Sequence, residues 1–368
     1  IQHLIVGYGG ASGNWYYNNL EQLDDFSWYV LTIPWLFNQS FFMAFFFMLS
    51  GYFIPNSYDR KGANVYLNDR LKRLGIPLCI YILVVNPIMS YVAWLQKASF
   101  EGSFLDFLPL YVKYYNGLDA GVLWFIEALL LFSFVYALWR STERIKSIRT
   151  WKTRPLYGLP NKPNNVHIIC FGLILGGLML ADRTLFFQQS LLRALGLPQG
   201  HFLQYIVYFV LGIVAYRRNW FLSLTCADGK LWAGVTFLLL LILPGILVAA
   251  GIQEGKFSPY SIDGDWSWTA LMIYAVWEQL VCISIIISLL VWCREELNTQ
   301  NHLAKTLSKG AYATYFVHTP VVTLTIFSLR NVSLEPLIKF TIAAPITVIL
   351  CFLTGHMIRK LPLFKEVF

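Results

Sequence analysis

The stretch from Phe41 to Pro77 constrains this chain more than any other. It opens as an apolar run, Phe41-Phe-Met-Ala-Phe-Phe-Phe-Met-Leu-Ser-Gly-Tyr-Phe-Ile54, and no charged residue stands between Trp28 and Pro55. A segment of that length crosses the hydrocarbon of a bilayer as a helix, because only a helix satisfies its own backbone polar groups there. Pro55 closes the run, and Arg60, Lys61, Arg70, Lys72 and Arg73 follow before the next apolar run begins at Ile76. A short loop with that many cations stays on the cytoplasmic side. This stretch therefore predicts both class and orientation.

Composition agrees. Hydrophobic residues make up 57% of the 368 positions and charged residues 13%, whereas soluble chains carry about 25% charged residues. The 13 Trp, 21 Tyr and 28 Phe suit aromatic belts at two membrane interfaces. The net charge of +8 could invite a nucleic-acid reading, but the cations sort by loop. The lipid bilayer, and not nucleic acid, is the expected partner of the surface. Cys79, Cys170, Cys226, Cys282, Cys293 and Cys351 fall in or beside apolar runs without a CxxC pair or metal-like spacing. They are expected to be small core residues, neither disulfides nor metal ligands. The sequence starts at Ile1 inside an apolar segment, with no initiator Met and no basic n-region to read as a signal peptide. A first helix truncated at residue 1 is expected.

Apolar runs lie near 1–13, 28–54, 76–95, 121–139, 166–181, 201–216, 231–250, 267–293, 311–329 and 338–358. Counted from a cytoplasmic start, every inside loop carries more Lys and Arg than every outside loop. The richest runs from Arg140 to Lys162 and the outside loops hold only Lys97, Lys113, Arg183, Arg193, Lys256, Arg330 and Lys339. A missed or invented helix would scramble that alternation. The predicted fold is an all-α integral membrane bundle of about ten transmembrane helices, both ends cytoplasmic. With no internal repeat and no linker, residues 1–368 form one domain, multi-pass in the plasma membrane. The longest outside loops run over 95–120 and 257–266, and the longest inside loop over 140–165.

Ionisable groups at membrane depth are costly and gather at cavities or partners. Four stand out: His3, Glu127, Glu278 and His318. With its helix ending near Gly13, His3 falls roughly 15 Å deep at 1.5 Å per residue, and His318, counted from Gly310, reaches a similar depth. The two can meet. Imidazole is a natural general base near neutral pH, although two such histidines can also serve only as hydrogen-bonding groups between helices. For Glu127 and Glu278 the plainer role is a polar clasp between helices. Tyr312, Tyr315 and His318 follow an i, i+3 spacing, so their polar tips line one helix face that points inward. His167, His201 and His356 sit nearer helix ends, and His302 falls in a loop. Arg70 and Arg73, one turn apart before Gly75-Ile-Pro77, serve either as an ordinary positive-inside signal or as a phosphate clamp.

Several segments in order resemble one family. They are Ile1-Gln-His-Leu with Tyr8-Gly-Gly; Phe45-Phe-Phe-Met-Leu-Ser50-Gly51; Arg70-Leu-Lys-Arg73-Leu-Gly-Ile-Pro77; Leu123-Trp124-Phe125-Ile-Glu127; Tyr205-Ile-Val-Tyr-Phe209-Val-Leu-Gly212; and Tyr312-Ala-Thr-Tyr315-Phe-Val-His318-Thr-Pro320. Together they look like the acyltransferase-3 family of membrane proteins, which move acetyl, succinyl or similar groups from cytoplasmic acyl-CoA onto hydroxyls of sugars and other acceptors. A histidine often seen just before the Leu-Trp-Phe signature is replaced here by Gly121-Val122. The resemblance implies that His3 is the catalytic base and that Arg70 and Arg73 hold the CoA phosphates. Trp124, Tyr312, Tyr315 and His318 would shape the pocket or steady the oxyanion. Glu127 is the local substitute for the missing histidine. The expected partners are acyl-CoA as donor and a carbohydrate or other hydroxyl acceptor, for which the aromatic outside segments Trp15-Tyr-Tyr17 and 260–268 are suited.

The same residues support two other readings. A proton-coupled secondary transporter would use His3, Glu127, Glu278 and His318 as a relay and leave no covalent product. A glycan or lipid flippase would use the same cavity without acyl-CoA.

Overall fold

The computed structural model describes residues 1–10, 15–19, 21–97, 99–115, 119–145, 162–185, 197, 200–249, 268–362, 364 and 367. Among these the regular structure is entirely helical: α1 (Gln2–Gly7), α2 (Asp25–Lys61), α3 (Ala63–Gln96), α4 (Phe104–Tyr115), α5 (Trp124–Ile145), α6 (Asn165–Leu185), α7 (Phe202–Arg218), α8 (Cys226–Ala249), α9 (Trp268–Glu295), α10 (His302–Ser328) and α11 (Pro336–Ile358). Seven helices are long and apolar enough to cross a membrane, those at α2, α3, α5, α6, α8, α9 and α11. The other three apolar runs are helical but fall short of that standard. α1 has six residues, α7 has 17, and the apolar part of α10 is diluted by Tyr312, Tyr315, His318, Pro320 and several threonines. The 257–266 loop and most of the 140–165 loop lie outside the described residues.

The expected first span is shortened by its own sequence. Gly9 takes a φ of +95°, a conformation L side chains rarely adopt, and α1 stops at Gly7 instead of running on to residue 13. The depth of His3 is thus not that of a residue ten positions inside a straight helix. The chain after the glycines returns over α1, where the Asn19 N–H donates to the Gly7 carbonyl at 2.8 Å.

The 37-residue α2 is the spine. It contributes to three of the four apolar clusters and packs on α1, α3, α5, α7, α9 and α11. Its closest neighbour is α7, and two glycines permit the approach. A Cβ on Gly51 would fall into the Phe209 carbonyl, and one on Gly212 would meet the Met48 carbonyl and lie 2.8 Å from the Tyr52 nitrogen. Helices that touch backbone to backbone in a bilayer need such small residues at the crossing. α3 has two π-helical turns, Leu71–Gly75 and Tyr81–Val85, a geometry frequent at functional positions.

Three placements differ from expectation. Cys282 and Cys351 are core residues, but Cys79, Cys170, Cys226 and Cys293 lie on exposed faces. Lys339, counted with an outside loop, is 1% exposed and donates to Glu21 at 2.8 Å. Arg183, counted likewise, is buried at the heart of a polar cluster.

Candidate active site

His3 and His318 do meet. Their rings stack with centroids 5.1 Å apart and planes 23° from parallel. The stack extends both ways: Trp15 lies 4.3 Å from His3, and Tyr315 lies 5.4 Å from His318. Helix periodicity explains the second contact, since Tyr315 and His318 are one turn apart on α10. The return of the chain after Gly9 and Gly10 explains the first.

Hydrogen bonds then define what each group can do. The Nδ1–H of His318 donates to the Tyr315 carbonyl. Neutral His318 therefore carries its lone pair on Nε2 and has no N–H left for an oxyanion. The Tyr315 hydroxyl donates to the Val122 carbonyl, and the Tyr312 hydroxyl donates to the Arg73 carbonyl at 2.7 Å. The polar face of α10 is as expected. Its tyrosine protons, however, are committed to backbone carbonyls, so the two residues tie α10 to α3 and to the turn before α5 instead of offering oxyanion donors. The His3 ring makes no hydrogen bond among the described residues and is half-buried. Neither of its ring nitrogens is spent on a described residue.

Around the pair stands a second polar layer. Tyr81 donates to Thr319 at 3.1 Å, Tyr16 to the Asn86 carbonyl oxygen at 2.7 Å, and the Asn86 amide to Tyr111 at 3.1 Å and to the Asp119 carbonyl at 2.9 Å. Asn86 and Thr319 are fully buried. Sequence reading missed this layer because Tyr81, Asn86 and Thr319 lie inside apolar runs and carry no charge, so a search for ionisable groups at membrane depth passes over them.

The arginines separate. Arg70 is half-buried, with its guanidinium 5.2 Å from the centre of the Tyr66 ring, and lines a cavity of about 260 Å³ with Phe46, Leu49, Ser50, Phe53 and Phe125. Arg73 is exposed. The π turn starting at Leu71 lies between them and replaces the plain helical turn expected to align them. Phe125 lines this cavity and its ring stands edge-on to Tyr315 at 6.3 Å; neither histidine is among the cavity's lining residues. Trp124 is not among the cavity's lining residues; it stacks 5.5 Å from Tyr205. Glu127 has one carboxyl oxygen, Oε2, buried without a hydrogen-bond partner among the described residues.

Glu278 belongs elsewhere. It pairs with Arg183 at 2.6 Å, accepts from Gln279 at 3.2 Å and stands 3.8 Å from the His201 Nε2. Gln204 extends the cluster to the Ser40 carbonyl on α2 at 3.1 Å. The polar clasp expected of Glu278 is present, with its partner unforeseen. Arg183 stands two residues beyond an apolar run and reads as a loop charge. Only its closeness to the run's end signalled burial.

A family model described as an acyltransferase domain, that of the acyltransferase-3 family, matches residues 4–356. The chain belongs to the acyltransferase-3 family. The match begins one residue after His3 and spans α2 to α11. No match was found among curated proteins or among solved structures. Family and helices together make this a multi-pass membrane protein of acyltransferase type.

Proposed function

We propose that this acyltransferase-3 protein moves an acetyl- or succinyl-like group from cytoplasmic acyl-CoA to a hydroxyl of an extracytoplasmic or membrane-associated carbohydrate. The observation that carries the reading is the His3–His318 stack, in which the His3 ring spends no hydrogen bond on a described residue. His3 takes the acceptor proton as the hydroxyl oxygen attacks the thioester carbonyl. The new C–O bond forms, the C–S bond breaks, and the proton leaves with the CoA thiolate. His318 fixes the other ring face of His3 and offers only a lone pair.

The donor enters past Arg70. Its phosphates meet Arg70, with Arg73 at the exposed mouth, as charge-assisted hydrogen bonds to phosphate favour. The pantetheine arm follows the 260 Å³ cavity to Phe125 and so to Tyr315. Tyr312, Trp124 and Glu127 do not line that cavity; in this reading they shape the pocket around the histidines, where the unpartnered Oε2 of Glu127 stands in for the missing histidine. Ten helices with both ends cytoplasmic, in the plasma membrane, complete the reading. It needs α1, α7 and α10 to lie in the membrane with the seven longer helices.

The test is acetyl-CoA binding to the detergent-purified protein, followed by release of free CoA with a membrane extract as acceptor. Binding lost in the Arg70→Ala, Arg73→Ala double variant supports the donor route. Undiminished binding there removes the clamp, and solute uptake into liposomes with no acylated product would favour a transporter.

A further inference from the structure

Among the described residues His3 is held by stacking. Trp15 and His318 each stack on its ring, with planes 22° and 23° from that of the imidazole. Two flat partners this close to parallel oppose rotation of the imidazole out of its plane.

Trp15 is itself fixed from several sides. Its indole N–H donates to Thr323 on α10 at 3.2 Å, and its backbone N–H donates to the Asn18 side chain at 2.8 Å. Asn18 returns a bond to the Trp15 carbonyl at 3.0 Å, and its own N–H donates to Gln96 at the end of α3 at 2.7 Å. Trp15 is 8% exposed and Thr323 3% exposed. A five-residue segment tied this firmly to α1, α3 and α10 is a built element of the site. We infer that Trp15, locked by Thr323, is a positioning residue that sets the plane of the His3 imidazole.

The inference rests on the reading of His3 as general base. If that reading holds, the stack decides where the lone pair points, and a misplacement of about 1 Å costs up to roughly 100-fold in rate. Aromatic faces pair best in offset or edge arrangements, so a smaller flat ring can replace the indole in part and an aliphatic chain cannot.

The experiment compares Trp15→Leu, Trp15→Phe and Thr323→Val in acetyl-CoA-dependent acyl transfer, with the ring C–H resonances of His3 followed in histidine-labelled protein. Trp15→Leu is expected to lower kcat by at least about 10-fold with the KM for acetyl-CoA unchanged, and to shift the His3 resonance as the indole ring current is lost. Trp15→Phe restores most of kcat. Thr323→Val, which keeps the side-chain shape and loses the acceptor, gives a smaller fall in the same direction and covers the case in which Trp15→Leu does not fold. Unchanged kcat and an unmoved His3 resonance in Trp15→Leu and Thr323→Val overturn the inference, as does a loss that falls on KM and is equal in Leu and Phe variants. His3→Ala separates the two failures. An inactive His3→Ala beside a fully active Trp15→Leu sinks the positioning role alone, whereas a fully active His3→Ala sinks the base and its positioning together.

Discussion

Two histidines of this protein, His3 and His201, stand inside polar clusters of opposite character. His3 is half-buried between two flat rings and makes no hydrogen bond among the described residues. His201 is 2% exposed, 3.3 Å from a guanidinium nitrogen of Arg183 and 3.8 Å from Glu278. The first cluster leaves the His3 nitrogens without a described partner; the second spends its charges on one another. Both lie on apolar helices or at their ends, so a polar group among apolar ones does not by itself mark chemistry. What separates a reaction centre from a clasp is the unspent, accessible lone pair.

The clasp is where substitution costs the most stability. Glu278→Ala leaves Arg183 buried without its carboxylate, and a loss of about 3–5 kcal/mol is expected. A thermal midpoint in detergent far below wild type checks it. The Arg183→Met, Glu278→Met double variant, which fills the space with apolar atoms, recovers most of the midpoint; failure to recover would mean that the pair does more than join α6 to α9. Next in size is the α2–α7 crossing. Gly212→Ala puts a methyl into the Met48 carbonyl, so the helices must part, at about 1–3 kcal/mol by analogy with overpacked cores. The midpoint should fall, and Gly177→Ala, where the added methyl meets nothing, should leave it in place.

Smaller effects sharpen the reactive side of the comparison. Tyr315→Phe removes one hydrogen bond to the Val122 carbonyl and should cost about 1 kcal/mol in stability. If the hydroxyl only ties α10 to the turn before α5, the rate per folded molecule changes little; a loss of rate beyond that would make it an oxyanion donor. The smallest effect is at Glu21. The hydrogen bond from Lys339 holds the Glu21 carboxyl below its ordinary value of 4.5. A carboxyl depressed on folding contributes stability above its ordinary pKa and loses it as pH falls through the lowered value. Glu21→Gln should therefore lower the midpoint slightly at pH 7, and the gap should close in acid. Because Glu21 is 47% exposed, solvent screens the pair and keeps the effect small.

Much of the His3–His318 cluster was legible in the sequence. The i, i+3 series from Tyr312 to His318 fixes a helix face whatever the tertiary fold, and a histidine on each of two apolar segments invites a meeting. The length of α1 was not legible, because Gly9 and Gly10 inside an apolar run do not announce that the chain will turn there and bring Trp15 back over His3. The clasp was half legible: Glu278 stands alone in a long apolar run, but Arg183 at a run's end is indistinguishable from an ordinary loop cation until α6 and α9 pack. The expected spacing of Arg70 and Arg73 took a regular helix, and the π turn beginning at Leu71 has no signal in the sequence that would have announced it.

The most direct test measures acyl transfer and thermal midpoint together for His3→Ala and Glu278→Gln. The account predicts a crossed result. His3→Ala keeps the wild-type midpoint and loses CoA release by about 10²–10⁴-fold, the range of a general base; Glu278→Gln lowers the midpoint and keeps most of its rate per folded molecule. CoA release at the wild-type rate from His3→Ala, or a stable but inactive Glu278→Gln, would contradict it and move the chemistry to the other cluster.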